Sequence, residues 1–194
     1  NVAVLSREQE EQVIRFLQSG KGLVMTGMTG RMDEEGEERA QEECLLWEFL
    51  GLSKSGSVTG VCGDSKDDWM NHETHNYLKG NDTFNPLLEG LEDTSILPFG
   101  GSVVETASSG SLEAIFHLIP AFPIYPPEFS WIREEREDLG TIFAGELENG
   151  ARVVYMPADV DRCYARFYLP DMGKLLENAV RYTAKNRFPV SVEG

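Results

Sequence analysis

The sequence has 194 residues and a net charge of −16, from 33 acidic and 17 basic side chains. A surface with so many unbalanced carboxylates repels phosphate backbones and anionic lipid head groups, which argues against nucleic-acid and membrane-surface roles. Hydrophobic residues make up 41% of the chain and charged residues 26%, a balance typical of a globular domain with a core of its own.

The three cysteines are Cys44, Cys62 and Cys163, and none of them forms a C-x-x-C pair. An odd number without paired spacing disfavours a disulfide framework and structural zinc. Buried free thiols in a reducing compartment are the simpler interpretation. We therefore expect a cytoplasmic protein that uses no metal and no cofactor.

The N-terminal part has the pattern of a strand, a helix and a second strand. Residues 1–5 predict the tail of a buried strand, so we expect a fold that is truncated at its N-terminus. Ser6 and Gln9 have the spacing of a capping box and begin a helix that ends at Gly20. Residues 22–26 predict a short buried strand, and such a strand–helix–strand unit predicts a parallel sheet.

The middle of the chain begins with an acidic stretch over residues 33–43, which leads into an apolar segment over residues 44–50. We expect one amphipathic helix here, because acidic groups favour the N-terminal end of a helix dipole. Residues 53–85 are rich in Gly, Ser, Asn and Asp and predict irregular structure with one strand. Residues 102–106 and 112–119 are predicted to pair as two strands.

The C-terminal third has clearer loop and turn signals. Residues 121–127 contain three prolines and predict an ordered surface loop, not a helix or a central strand. Residues 141–147 and 152–156 predict two strands joined by a hairpin at Asn149–Gly150. The last helix is predicted over residues 171–187. No linker divides the chain, so we expect a single domain.

Two short patterns resemble a catalytic or metal-binding motif but lack a residue or a spacing that the motif requires. Residues 60–64 resemble the elbow of a cysteine nucleophile around Cys62, but Asp64 replaces the final glycine, and nearby carboxylates oppose a reactive thiolate. His72 and His75 are three apart, whereas zinc-binding helices place two histidines four apart. We expect no catalytic residue and no metal site, and a cysteine hydrolase stays as the third hypothesis.

Three segments are candidates for ligand binding. The first follows the predicted strand 22–26, since open α/β sheets place ligand crevices at the carboxyl ends of their strands. The second follows the proline-rich loop, and the third follows the predicted strand 152–156. Loop-fixing ion pairs and turn caps are the structural alternative. The candidate residues are Thr26, Thr29, Trp131, Arg133, Asp159, Asp161 and Arg162.

Several segments together resemble the trimerisation domain of family 42 β-galactosidases. Residues 16–26 are similar to the stretch that leads into a buried strand of that domain, and residues 29–34 to the turn after it. Residues 85–91 resemble a later motif of the family. Residues 151–159 and 175–182 resemble its closing strand and closing helix, so the similarity covers most of the chain.

The resemblance implies the fold of class I glutamine amidotransferases. That fold is a flavodoxin-like, three-layer α/β sandwich, expected here with a mostly parallel sheet and a C-terminal antiparallel hairpin. In those enzymes a nucleophilic cysteine follows the strand that matches residues 23–26, whereas residues 27–29 contain no thiol. Met156 stands where their catalytic histidine would be, and a thioether cannot accept a proton. The fold is therefore expected without its chemistry.

The resemblance implies a structural or assembly role. The domain would pack against a glycoside-hydrolase-like barrel of the same protein, or bridge the subunits of a homo-oligomer. A binding domain for a small sugar or carboxylate is the alternative. An assembly role predicts an exposed apolar patch, for which we expect Phe122, Ile124, Tyr125, Phe129 and Trp131.

The resemblance also predicts the geometry of the strand ends. The strands 23–26 and 153–156 are expected to lie side by side, or nearly so. Their carboxyl ends would bring Thr26, Asp159 and Arg162 around one crevice, with Arg162 paired to an aspartate.

Overall fold

The computed structural model describes residues 2–58, 76–81, 86–94 and 96–185. Within these ranges the chain forms one six-stranded sheet and one two-stranded sheet. The strands are β1 (Leu23–Thr26), β2 (Leu52–Val58), β3 (Asn76–Gly80), β4 (Leu97–Phe99), β5 (Val103–Ser108), β6 (Glu113–Ile119), β7 (Arg136–Glu146) and β8 (Arg152–Met156). The α-helices are α1 (Arg7–Gln18), α2 (Leu45–Phe49), α3 (Val160–Phe167) and α4 (Pro170–Thr183).

The six-stranded sheet has the order β1-β8-β7-β6-β3-β4. β1 and β8 run parallel, while the four other neighbouring pairs are antiparallel. The expected flavodoxin-like, mostly parallel sheet is therefore wrong, although the α/β class holds. The reason lies in the connections, because short links such as the one between β7 and β8 join antiparallel neighbours, whereas parallel pairs need a long crossover.

The start of the described chain differs from the predicted buried strand. Val4 makes one parallel bridge with Met32, and its side chain is 41% exposed. The predicted capping box of α1 is confirmed: Ser6 Oγ accepts a hydrogen bond from the Gln9 amide at 3.3 Å, and Gln9 Oε1 accepts one from the Ser6 amide at 2.9 Å. A strand–helix–strand crossover does not form here, since β1 finds its parallel partner in β8.

The acidic stretch forms a tight turn where a helix was expected. Met32 bridges Glu38 in antiparallel fashion, and the Glu37 amide donates to Asp33 Oδ1 at 2.8 Å. Gly36 adopts a φ of 85° within this turn, a conformation that interrupts a right-handed helix. The helical part is limited to a short 3-10 turn at Gln41–Glu43 and to α2.

Two apolar cores pack on opposite faces of the large sheet. One contains residues from α3 and α4, and the other contains residues from α1, α2, β2 and β5. β8 supplies both cores in alternation: Val154 and Met156 belong to the first, and Val153 and Tyr155 to the second. This alternation is the two-residue period of a strand with both faces covered.

The C-terminal predictions agree better with the structure. β7 and β8 form the expected hairpin, with Phe143 opposite Tyr155. α4 begins at Pro170, close to the predicted start, and buries Leu175 and Ala179. The expected pairing of the strands 102–106 and 112–119 is wrong, because β5 pairs with β2 while β6 pairs with β3 and β7. Across the described ranges, no helix is long and apolar enough to cross a membrane.

Candidate functional site

The carboxyl ends of β1 and β8 form the centre of the candidate site. The two strands are parallel neighbours, and Thr26 lies opposite Met156, so the predicted adjacency of these strands is confirmed. Thr26 Oγ1 donates a hydrogen bond to Asp161 Oδ2 at 3.0 Å. α3 begins directly after the β8 strand end and so places Asp161 in its first turn. Thr26 is only 6% exposed, whereas Asp161 is half-buried, so this contact is part-buried.

Three amide groups of the turn after β1 donate hydrogen bonds within the fold. The Gly27 amide donates to the Met156 carbonyl at 2.8 Å, and the Thr29 amide donates to the Thr26 carbonyl at 3.3 Å. The Gly30 amide donates to the carbonyl of residue 2 at 3.0 Å. Such amides could bind an anion if they pointed to an open crevice. Here backbone carbonyls already accept from them, so the turn is built as a structural element.

The side chain of Thr29 belongs to the same closed arrangement. Its Oγ1 donates to the Thr26 carbonyl at 2.7 Å, and its own carbonyl accepts a hydrogen bond from Trp47 Nε1 at 2.8 Å. The ring of Trp47 meets that of Tyr155 edge to face, with centroids 5.2 Å apart. Tyr155 Oη donates to the Gly27 carbonyl at 3.0 Å. Two buried aromatic side chains therefore hold the turn from the core side.

Asp159 and Arg162 lie at the start of α3, shortly after the end of β8. Asp159 is half-buried and Arg162 is exposed. Successive residues on an α-helix are about 100° apart, so Asp161 and Arg162 cannot both face Thr26. The aspartate takes that place and the arginine faces outward.

No thiol–imidazole pair is assembled among the described residues. Met156 is fully buried in the core. Cys44 and Cys163 are free and buried, and burial raises the pKa of both thiols, which opposes a reactive thiolate. His117 lies on β6 with Asn81 and Glu135 at its ring nitrogens. The remaining candidates, Cys62, His72 and His75, lie outside the described residues. Among the described residues, no cluster of acids, cysteines or histidines could hold a metal ion.

The second candidate segment lies in the loop between β6 and β7. The Arg133 guanidinium stacks over the Trp131 ring, 4.2 Å from its centroid, and Arg133 Nη2 donates to the Phe129 carbonyl at 3.4 Å. Trp131 is 46% exposed. The strand order separates β1 from both ends of this loop. The structure thus brings Thr26, Thr29 and Asp161 together, and Trp131 with Arg133 forms a separate feature.

A buried charge cluster was missed by the sequence analysis. Glu10 is fully buried and its Oε2 accepts from Arg39 Nη2 at 3.1 Å, while its Oε1 accepts from the Leu46 amide at 3.4 Å. Arg31 is 4% exposed and donates to Glu38 Oε1 at 2.8 Å. One signal could have revealed Glu10, since it lies on the same helical stripe as the apolar residues 13, 14 and 17.

Two adjoining cavities lie beside this cluster, with volumes of about 260 and 400 Å³. Arg7, Asp33 and Arg39 line both of them. Arg39 already pairs with Glu10, and Arg7 lies 3.6 Å from Glu11. Because the cationic groups are committed to carboxylates, these cavities offer a mixed, internally paired lining and no evident chemistry.

Similar solved structures include parts of two glycoside hydrolases. A β-galactosidase from Rahnella sp. R3 has a TM-score of 0.54 and 14% identity over 91% of this chain. A β-galactosidase from Bacillus circulans sp. alkalophilus has a TM-score of 0.58 and 11% identity over 95% of this chain. The matches cover 22% and 21% of those enzymes, so the chain spans about a fifth of their length.

A smaller protein has a similar fold. A cytoplasmic protein from Salmonella typhimurium has a TM-score of 0.59 and 12% identity, over 93% of this chain and 62% of that one. At such identities the three likenesses show a shared fold and nothing about substrates. No family model matches the sequence, and no curated protein matches it.

Proposed function

We propose that this chain is a non-catalytic structural or assembly domain of a glycoside-hydrolase-like protein, related to the trimerisation domains of β-galactosidases and to the amidotransferase-like fold. In this role it packs against a barrel domain of the same protein or bridges the subunits of a homo-oligomer. The similarity to about a fifth of two β-galactosidases supports a place within a larger enzyme.

The observation that carries the proposal is the closed turn after β1. A nucleophilic site needs an exposed nucleophile, a base within hydrogen-bond reach and free donors for the developing negative charge. At this turn residues 27–29 include no thiol, Met156 at the neighbouring strand end is a buried thioether, and backbone carbonyls accept from the amides of Gly27, Thr29 and Gly30. The hydrogen bonds that occupy these amides also hold the strand ends together, which fits a structural role.

A binding domain for a small sugar or carboxylate is the second candidate. The meeting of Thr26, Thr29 and Asp161 at the strand ends favours it, with Asp159 and Arg162 nearby in sequence and the Trp131–Arg133 pair as a further element. Calorimetric titration with galactose and with acetate separates the two functions. Heat of binding that disappears in Arg162→Ala, at an unchanged melting temperature, would favour the binding domain.

The experiment that tests the proposal is an assay for glutamine hydrolysis and for nitrophenyl β-galactoside hydrolysis by this chain. We expect no turnover above the blank. Cys62→Ser serves as the matched variant, because Cys62 is the nucleophile of the third hypothesis, a cysteine hydrolase or amidotransferase-like enzyme. Turnover by the unmodified chain that Cys62→Ser abolishes would overturn the proposal.

A further inference from the structure

His117 lies where β3, β6 and the loop between β6 and β7 meet. It belongs to β6 and lies opposite Lys79 of β3 on one side and Gly140 of β7 on the other. Its side chain is only 9% exposed. Imidazole is the side chain whose ordinary charge change falls between about pH 5 and 8. The hydrogen-bond partners of His117 therefore decide what such a change does to the fold.

Both ring nitrogens of His117 face oxygen atoms. Nδ1 lies 3.1 Å from Asn81 Oδ1, and Nε2 lies 3.3 Å from Glu135 Oε2. A neutral imidazole has one N–H group and one acceptor nitrogen, so it can donate to only one of these oxygens. The other contact would then set a nitrogen lone pair against an oxygen lone pair. The imidazolium, which has two N–H groups, can donate to both.

The orientation of the Asn81 amide is fixed by its other hydrogen bond. Asn81 Nδ2 donates to the Ala114 carbonyl at 2.8 Å, and the Asn81 backbone amide donates to the Ile115 carbonyl at 3.0 Å. Exchanging the side-chain oxygen and nitrogen would turn Oδ1 toward the Ala114 carbonyl and lose that hydrogen bond. Asn81 therefore offers His117 an acceptor, and the ring needs a hydrogen on Nδ1 to use it.

Glu135 offers the second acceptor in its ionised form. Lys79 Nζ donates to Glu135 Oε2 at 2.9 Å and to Oε1 at 3.1 Å. The hydrogen bond from Lys79 is the main reason that the pKa of Glu135 lies below its ordinary value of 4.5, with burial opposing it and His117 adding to it. The carboxylate thus carries no hydrogen in the range where imidazoles titrate, and Nε2 must carry one to satisfy the contact.

The charges around the ring come from three elements. From β3, the Lys79 ammonium opposes protonation of the ring, and at the end of the loop the Glu135 carboxylate favours it. From β7, Arg136 donates to both carboxylate oxygens of Asp138 at 2.8 Å, so these two charges largely cancel. The charge of His117 therefore depends on the balance between the Glu135 carboxylate and the Lys79 ammonium group.

We infer that His117 is a proton-dependent clamp, which fastens the end of the loop between β6 and β7 to the sheet. With its ring doubly protonated, it joins Asn81, directly after β3, to Glu135, directly before β7. When the ring loses a proton, one of these two hydrogen bonds is lost. The loop carries the exposed rings of Phe129 and Trp131, whose placement thereby becomes dependent on pH.

The sign of the pH dependence follows from the protonated ring. Because the folded state holds the imidazolium better than the unfolded chain does, the clamp stabilises the fold at the acid end of the range from about pH 5 to 8. This contribution is lost as the pH rises through that range. Acidic conditions therefore tighten the loop, and alkaline conditions loosen it.

Glu135→Gln tests the clamp, because glutamine keeps the shape of the side chain and its amide can donate to a neutral Nε2. The ring then no longer needs a second hydrogen. Nitrogen-15 chemical shifts of the His117 ring at about pH 7 give the ratio of protonated to neutral ring. We expect this ratio to be about threefold higher or more in the parent than in Glu135→Gln. Glu128→Gln, at an exposed position of the same loop, removes the same charge and should leave the ratio unchanged.

The effect on the fold is measured by urea unfolding at about pH 6 and about pH 8. The parent should lose more stability over this interval than Glu135→Gln, because titrating groups elsewhere contribute equally to both proteins. Amide protection factors of residues 131–135 should fall over the same interval in the parent and stay level in the variant.

Lys79→Met is an independent variant, because it removes the competing cation and should raise the protonated fraction of the His117 ring. Three results would overturn the inference. They are a ring equally protonated in the parent and in Glu135→Gln, a ring as sensitive to Glu128→Gln as to Glu135→Gln, and equal loss of stability in the parent and in Glu135→Gln. These outcomes are independent of the proposed assembly role, which the assays for hydrolysis test separately.

Discussion

Thr26 Oγ1 donates a hydrogen bond of 3.0 Å to Asp161 Oδ2, although 135 positions separate the two residues in sequence. The bond joins the end of β1 to the first turn of α3, which follows β8. It therefore connects the early part of the fold to its C-terminal helices at the edge where open α/β sheets place their ligands. Its contribution to stability can be measured directly.

Replacing Thr26 by valine removes the hydroxyl and keeps the shape of the side chain. We expect Thr26→Val to lower the free energy of unfolding by about 1–3 kcal/mol, because it leaves a part-buried carboxylate with one donor fewer. Urea unfolding followed by circular dichroism measures the change. Equal stability of the variant and the parent would mean that solvent already serves Asp161 Oδ2.

Thr141 provides the matched control for that substitution. It is fully buried on β7, and its Oγ1 has no hydrogen-bond partner among the residues that the structure describes. Thr141→Val makes the same chemical change but removes an unsatisfied buried hydroxyl. We expect it to stabilise the fold by about 1 kcal/mol, so the two threonine variants should shift the urea midpoint in opposite directions.

The ion pair between Glu10 and Arg39 gives the second prediction. Glu10 is fully buried and Arg39 is 14% exposed. Glu10→Ala therefore leaves the largely buried Arg39 guanidinium without its carboxylate and opens a cavity where the glutamate side chain stood. Removing one partner of a buried pair costs about 3–5 kcal/mol. Thermal unfolding should show a large drop in melting temperature.

Glu11 is the control on the same helix. It makes two ion pairs, with Arg7 at 3.6 Å and Arg15 at 3.8 Å, but all three side chains are 45% exposed or more. Exposed pairs contribute about 0–1 kcal/mol, so Glu11→Ala should change little although it loses two ion pairs and Glu10→Ala loses one. A Glu11 variant as unstable as the Glu10 variant would contradict the role that burial has here.

The third prediction concerns acid stability. Hydrogen bonds from Lys54, and then from Arg31, hold the pKa of Glu38 below its ordinary value of 4.5, with burial opposing them. A folded-state pKa below the unfolded value adds stability above the unfolded pKa, and this stability is lost as the pH falls through the folded pKa. The urea concentration at the unfolding midpoint should therefore decrease as the pH is lowered below about 4.5.

Glu38→Gln should remove the part of this stability loss at low pH that comes from protonation of Glu38. We expect its urea midpoint to be lower than that of the parent at neutral pH and to approach the parent's as the pH falls. Glu34→Gln, at an exposed position of the same acidic turn, controls for the loss of one negative charge. An unchanged difference between Glu38→Gln and the parent at all pH values would refute the linkage.

Features set by neighbouring residues were predictable from the sequence. The capping box at Ser6 and Gln9 needs only two side chains at the right spacing, and the hairpin between β7 and β8 follows from Asn149–Gly150, where Gly150 adopts a φ of 81°. The adjacency of β1 and β8 was also correct, but it came from the family resemblance, since no local pattern encodes a parallel neighbour.

Strand partners outside such turns could not be predicted. β5 and β6 follow each other closely, yet β5 pairs with β2, from Leu52 opposite Ser108 to Val58 opposite Val103. The Ser109 amide donates to the Gly51 carbonyl at 2.8 Å, and a Cβ on Gly51 would lie 2.8 Å from the Gly110 nitrogen. This close approach joins segments about sixty residues apart, and no short window of sequence contains both.

The charged residues of the site show the same limit. Asp161 was a candidate together with Asp159 and Arg162, and only the helix phase of α3 decides which of them faces Thr26. Arg31 belongs to a predicted turn, yet it is buried against Trp47, with its guanidinium 5.0 Å from the ring centroid. Burial of a charge depends on partners from several elements, which the sequence presents far apart.

Because the side chains of β8 alternate between the two cores, the stability of each core depends on the other. Val153 and Tyr155 lie in one core, and Val154 and Met156 in the other, so neither can melt without withdrawing support from the opposite face. Such coupling produces a single cooperative transition, and the amide hydrogens of β8 should exchange with solvent only through complete opening of the molecule. One five-residue strand thus turns two layers of packing into one unit of stability.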